Sequence, residues 1–156
     1  MVYNLNGVII RNKALTIRLD NRGLNYGDGV FETLKVLRGK ILFWEDHYFR
    51  LMASMRILRM EIPMSFSPEY LEEQVALCLK EAKLEDQVVR VKILVVRKAG
   101  GLYTPEQREV DFLIRAEELD QANYELNEQG YEVELYKDFY KASGLLGNLK
   151  TTSAQL

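Results

Sequence analysis

The chain has 156 residues, with 21 Lys and Arg against 23 Asp and Glu, one His, one Cys and three Pro. That length suits one domain, or one domain and a piece of a second. A hydrophobic fraction of 47% with 28% charged residues belongs to a folded globular protein rather than a disordered one. A net charge of −2 excludes a surface built to neutralise a nucleic-acid backbone. A single Cys and a single His exclude an internal disulfide and a structural zinc site made from those residues, so no metal is expected and a reducing cytoplasm is. No apolar run approaches the ~18 residues of a membrane span, and the first twelve residues lack the layout of a signal peptide, so no membrane partner is expected.

Residues 2–10 mix apolar residues with Asn4, Asn6 and Gly7, which predicts a strand broken by a turn. Asn12-Lys13 is a second turn candidate, and residues 15–19 alternate at period two, predicting another strand. From Gly27 to Leu37 the row Val30, Glu32, Leu34, Val36 opposes Phe31, Thr33, Lys35, Leu37, a strand pattern. Arg38-Gly39-Lys40 predicts a hairpin turn with glycine at a positive φ, after which residues 41–43 return. Trp44, Tyr48, Leu51, Met52, Met55 and Leu58 then fall on one helical stripe, in a helix that Pro63 stops after Met60. Ser67-Pro68 opens a second helix as N-cap and first position, with Leu71, Val75, Cys78 and Ala82 along it. Strands are predicted over 88–97 and 110–116, separated by a loop with the pair Gly100-Gly101. Strands with hairpin neighbours and helices segregated between them make an α+β fold on an antiparallel sheet, residues 1–118. Residues 119–130 are polar and read as an inter-domain linker. Residues 131–156 begin a second unit that is incomplete, with a strand expected over 131–136.

Three segments could carry chemistry. In Asn21-Arg-Gly-Leu-Asn-Tyr26-Gly-Asp-Gly-Val-Phe31-Glu-Thr, three glycines permit close backbone approach before a strand, a pattern that a plain β-turn also produces. It is not a phosphate cradle of the GxGxxG kind, because a strand rather than a helix follows. On the first helix His47, Arg50 and Ser54 share one face, where an arginine can clamp a phosphate or carboxylate and where a solvated polar edge is the alternative. Lys150, in Leu149-Lys-Thr-Thr-Ser153, is a nucleophile if its amine is desolvated or set among cations, and an ordinary surface lysine otherwise.

In order and spacing, Asp20-Asn-Arg-Gly-Leu-Asn-Tyr-Gly-Asp-Gly-Val-Phe-Glu-Thr33, Gly39, His47-Tyr-Phe-Arg50-Leu51 with Ser54, and Leu149-Lys-Thr-Thr152 resemble the class IV (fold-type IV) aminotransferases. This pyridoxal 5′-phosphate family includes branched-chain and D-amino acid aminotransferases and aminodeoxychorismate lyase. The resemblance implies an N-terminal α+β domain of a fold-type IV enzyme and transamination of an amino acid with a 2-oxo acid. The lyase reaction and a non-catalytic binding module are the alternatives. It further implies that Lys150 is the Schiff-base lysine and Arg50 holds the cofactor phosphate, while Tyr26, Phe31, Arg97 and Tyr103 line the substrate site. His47 is expected to support the helix near Arg50, and a homodimer is expected. Ser153 departs from the asparagine that many members carry. The chain also ends six residues past Lys150, where family members continue with most of a second domain, so a truncated chain is expected.

Overall fold

The computed structural model describes residues 2–11, 16–120, 124–137, 140 and 143–153. Its elements in chain order are β1 (Val2–Leu5), β2 (Val8–Arg11), α1 (Arg22–Tyr26), β3 (Gly29–Leu37), β4 (Lys40–Ile41), α2 (Trp44–Ile57), α3 (Pro68–Ala82), β5 (Val88–Arg97) and β6 (Val110–Glu118). A 3-10 turn, Leu146–Asn148, follows near the end. The strands form one sheet in the order β2-β1-β6-β5-β3-β4, and every pairing is antiparallel. The α+β expectation holds.

The two tight hairpins carry the turn residues their geometry demands. Asn6 and Gly7 lie at φ 52° and 86°, and Arg38 and Gly39 at 47° and 77°. Positive φ at both central residues matches the right-handed twist of the flanking strands. The pairs Val30↔Val95, Glu32↔Ile93, Leu34↔Val91 and Val36↔Val89 put a buried row on one sheet face. Onto that face pack Leu51, Met52 and Met55 of α2 and Leu71, Val75, Cys78 and Leu79 of α3. Ser67 caps α3 by accepting from the Tyr70 amide at 3.1 Å, with Pro68 at its first turn, as its sequence predicts. Burial raises the Cys78 thiol to a pKa of about 11, which leaves it an inert core residue.

Several expectations need correction. The glycine-rich stretch before β3 is not a bare turn. It holds the one-turn helix α1, with Asn21 accepting from the Leu24 amide and Gly27 closing it at φ 63°. Residues 16–18 form no strand, and Ile17 and Leu19 are exposed. Alternation alone makes no strand without a neighbour to share its hydrogen bonds. The return strand after the second hairpin stops at Ile41, because Phe43 turns to φ 54° to start α2. α2 ends at Ile57, three residues before the expected Met60, with Arg59 at positive φ. Residues 131–137 are exposed and pair with no strand among the described residues, so the strand expected there is not formed. The Asn12-Lys13 turn and residues 154–156 lie outside the described residues. Among those described, no helix is long and apolar enough to cross a membrane.

Candidate functional site

β3 supplies the centre of the site. Its inward row is apolar except at Glu32, whose side chain is 2% exposed. A carboxylate so placed is costly unless it is paired, and α2 meets it with two residues one turn apart. Arg50 donates from Nε to Oε1 and from Nη2 to Oε2, both at 2.7 Å, and His47 Nδ1 lies 2.8 Å from Oε2. An ionised carboxylate only accepts, so this contact calls for the proton to sit on Nδ1. Lys150 Nζ stands 3.8 Å from the same Oε2. Burial pushes the Glu32 carboxyl up, but hydrogen bonds from Arg50 and His47 and the charges of Arg50 and Lys150 outweigh it and hold the group below its ordinary value. The hydrogen bonds that Arg50 donates to Glu32 in turn raise it above its own ordinary value. His47, expected only to support the helix, is a direct partner of the carboxylate.

Lys150 is delivered by backbone pairing. β4 is two residues long, so the first half of β3 has a free edge on that side. Residues 150–152 fill it: the Phe31 amide donates to Lys150 O and the Thr152 amide to Gly29 O, both at 2.9 Å, around an antiparallel Val30↔Thr151 bridge. That register sets Lys150 opposite Phe31. Its Nζ lies 5.5 Å from the Phe31 ring centroid, and Lys92 Nζ of β5 lies 4.2 Å from it. Burial, then the charges of Arg115 and Arg90, hold the Lys92 amine below its ordinary value. The approach of the two segments needs glycine. A Cβ on Gly27 would stand 2.6 Å from the Ser153 Cβ, and one on Gly29 3.0 Å from the Thr152 Cγ2.

The structure thus brings Lys150 and Arg50 together at Glu32, with the Phe31 ring beside the Lys150 amine. Tyr26, Arg97 and Tyr103 lie elsewhere, in the wall of a neighbouring cavity of about 940 Å³. Leu149, Thr151 and Ser153 line the same cavity, and Lys150, between them, does not. The Tyr26 and Tyr103 rings meet at 5.7 Å. Arg97 is buried and engaged by protein: Nε donates to Asp28 Oδ2 at 2.9 Å, Nη2 to Leu58 O at 2.6 Å and Nη1 to Arg59 O at 3.3 Å. Sequence reasoning passed over Arg22 and Asp28, which bind each other at 2.8 Å in this wall. It also gave Glu32 no definite role, although a carboxylate in an otherwise apolar inward row was itself the signal that cations must come to meet it.

Lys150 and Arg50 have side chains 41% and 45% exposed, so both are anchored at one buried carboxylate and both reach solvent. Glu32 engages Nε and Nη2 of Arg50, and Nη1 is no part of that pairing. An amine and a guanidinium held in this way can take an electrophilic carbon and an anionic group of the same small molecule.

A Methanocaldococcus jannaschii protein described as a branched-chain-amino-acid aminotransferase is 32% identical over 102 residues, 65% of this chain and 34% of its own length. The D-alanine aminotransferase of Bacillus licheniformis is 27% identical over 123 residues, 76% of this chain and 43% of its own. Among solved structures, the branched-chain aminotransferase from Thermoproteus uzoniensis with norvaline superposes with a TM-score of 0.66 at 20% identity, covering 78% of this chain and 41% of that one. The fold is therefore shared, and the chain spans about two fifths of the length of these proteins. The sequence pattern of Amino-transferase class IV matches residues 29–155, from the start of β3 through the Lys150 segment, and the chain belongs to that family.

Proposed function

We propose that this chain carries the N-terminal part of a pyridoxal 5′-phosphate-dependent aminotransferase, which moves an amino group between an amino acid and a 2-oxo acid. One observation carries the reading: in a member of this family, the Lys150 amine is held at the same buried carboxylate as Arg50, and both reach solvent. That donor set fits the group, with an amine for its aldehyde carbon and an arginine for its phosphate. When bound, pyridoxal 5′-phosphate would supply an electron sink for charge developing on the substrate α-carbon.

The protein's own residues do the rest. Lys150 Nζ would hold the group covalently, and the same amine would take up and return the proton moved from the substrate α-carbon. Arg50 offers Nη1 to the phosphate while Glu32 fixes its other edge, and Phe31 forms an apolar wall beside the amine. In this reading residues 1–118 form one unit, residues 119–130 join it to the next, and residues 131–156 open the cofactor-binding unit. The active species is a cytoplasmic homodimer, consistent with exposed Leu24, Tyr26, Leu102 and Tyr103.

Incubation with a panel of amino acids and 2-oxoglutarate tests the reaction. Glutamate should accumulate, and Lys150→Ala should lose more than the ~10²–10⁴ expected of a general base alone, since the lysine is also the anchor. Pyruvate and 4-aminobenzoate formed from aminodeoxychorismate, with no amino transfer, would replace transfer by the lyase reaction. Turnover undiminished in Lys150→Ala would end both.

A further inference from the structure

Arg22 and Arg97 are 2% and 5% exposed, and both donate from Nε to one carboxylate oxygen, Asp28 Oδ2, at 2.8 and 2.9 Å. Two cations on one anion leave a buried excess of positive charge, which is costly unless further acceptors complete it. Backbone carbonyls do so. Arg22 Nη1 donates to the carbonyls of Gly100 at 3.0 Å and Leu102 at 2.7 Å, with Gly101 at 3.3 Å, and Nη2 donates to Tyr103 O at 3.3 Å. Arg97 donates to the carbonyls of Leu58 and Arg59, just past the end of the helix that carries Arg50. Four successive carbonyls can converge on one guanidinium only because the loop folds back sharply there. Gly100 and Gly101 lie at φ 135° and 74°, and a Cβ on Gly101 would stand 2.2 Å from Thr104 O.

With its carbonyls turned in, the loop holds Leu102 and Tyr103 outward, and the Tyr103 ring rests on Tyr26, itself stacked 4.8 Å from the Arg22 guanidinium. We propose that Arg22, working through Asp28 and Arg97, locks the loop over residues 98–105 against β3 and α2, and so sets the Tyr26–Tyr103 wall of the cavity that Leu149, Thr151 and Ser153 also line, the space beside Lys150 into which a substrate side chain would extend. Arg22 is a positioning residue and need touch no substrate. The specificity part of this proposal rests on the aminotransferase reading above, whereas the lock itself does not.

The test takes two measurements on the wild type and on Arg22→Lys, which keeps the charge but loses the planar fork. The first is hydrogen exchange of the amides of residues 100–106 in protein without cofactor. Arg22→Lys should speed it while leaving β5 and α2 unchanged, and equal rates would overturn the lock. The second is KM and kcat across amino acids of increasing side-chain size in the cofactor-loaded protein. KM should rise roughly 10- to 100-fold for the bulky members, with kcat and cofactor affinity unchanged. A uniform fall in kcat, or a KM that does not vary with size, would overturn the specificity claim and leave a merely structural role. Tyr103→Ala alters an exposed side chain and so guards against a misfolded Arg22 variant. It should reproduce the size-dependent KM pattern, and an unchanged pattern would also overturn the claim. A wild type without transferase activity would overturn the aminotransferase reading and the specificity claim with it, while the exchange rates would still decide the lock.

Discussion

Glu32 is the residue on which the site is hung, because its side chain ties β3, α2 and the Lys150 segment to one another. Its carboxyl lies below its ordinary value in the folded state. The stabilisation from its partners is therefore fully present above the unfolded-state pKa, near ~4.3. It is lost as pH falls through the lower folded-state value. Glu32→Gln should lower stability at neutral pH by ~1–3 kcal/mol. It should also flatten the fall of stability in that acid window, which chemical denaturation at a series of pH values would show. Unaltered acid sensitivity in Glu32→Gln would mean that another carboxylate sets it. Arg50→Lys keeps a charge but loses the fork, and should weaken pyridoxal 5′-phosphate binding by ~1–3 kcal/mol in a titration. Unchanged affinity in Arg50→Ala would remove Arg50 from the proposed cofactor site. Lys150 and Arg50 were legible from their motifs. The partner that orients them was legible only as an oddity, a charge in an apolar row, since sequence shows the face a residue occupies but not what comes to meet it.

At the scale of elements, glycines decide where segments can touch. Gly27 closes α1 at φ 63° and faces Ser153 at a distance no side chain tolerates. Gly27→Ala should cost ~1–2 kcal/mol in backbone strain. It should also push residues 150–153 off the edge of β3, and cofactor binding should fail before the fold does. A thermal melt beside a cofactor titration separates the two effects. Ser67→Ala, by contrast, should lower stability by ~1 kcal/mol through loss of a helix cap and leave the site untouched. The hairpins, both long helices and the three long strands follow from local pattern, because turn chemistry, caps and periodicity are carried by neighbouring residues. α1 escaped notice because a single turn containing Gly23 has no periodicity to read. Of the strands expected over 15–19 and 131–136, the described residues 16–19 and 131–136 form none, because a strand exists only where another strand receives its hydrogen bonds.

For the whole molecule, the α+β architecture serves to bring distant segments to one edge. Residues 150–152 pair with β3, which lies at the opposite end of the sequence, and the cavity beside them is walled by α1, the loop after β5 and the residues flanking Lys150. Such juxtaposition is a property of topology, which is why the motifs could be matched to the family while the Arg22–Asp28–Arg97 wall could not be foreseen. Covalent mapping decides whether Lys150 is the residue that takes the cofactor. Protein incubated with pyridoxal 5′-phosphate, reduced with borohydride and digested should carry the cofactor on the peptide containing Lys150, and Lys150→Ala should carry none. Cofactor fixed to a different lysine, or retained in Lys150→Ala at the wild-type level, would contradict the account.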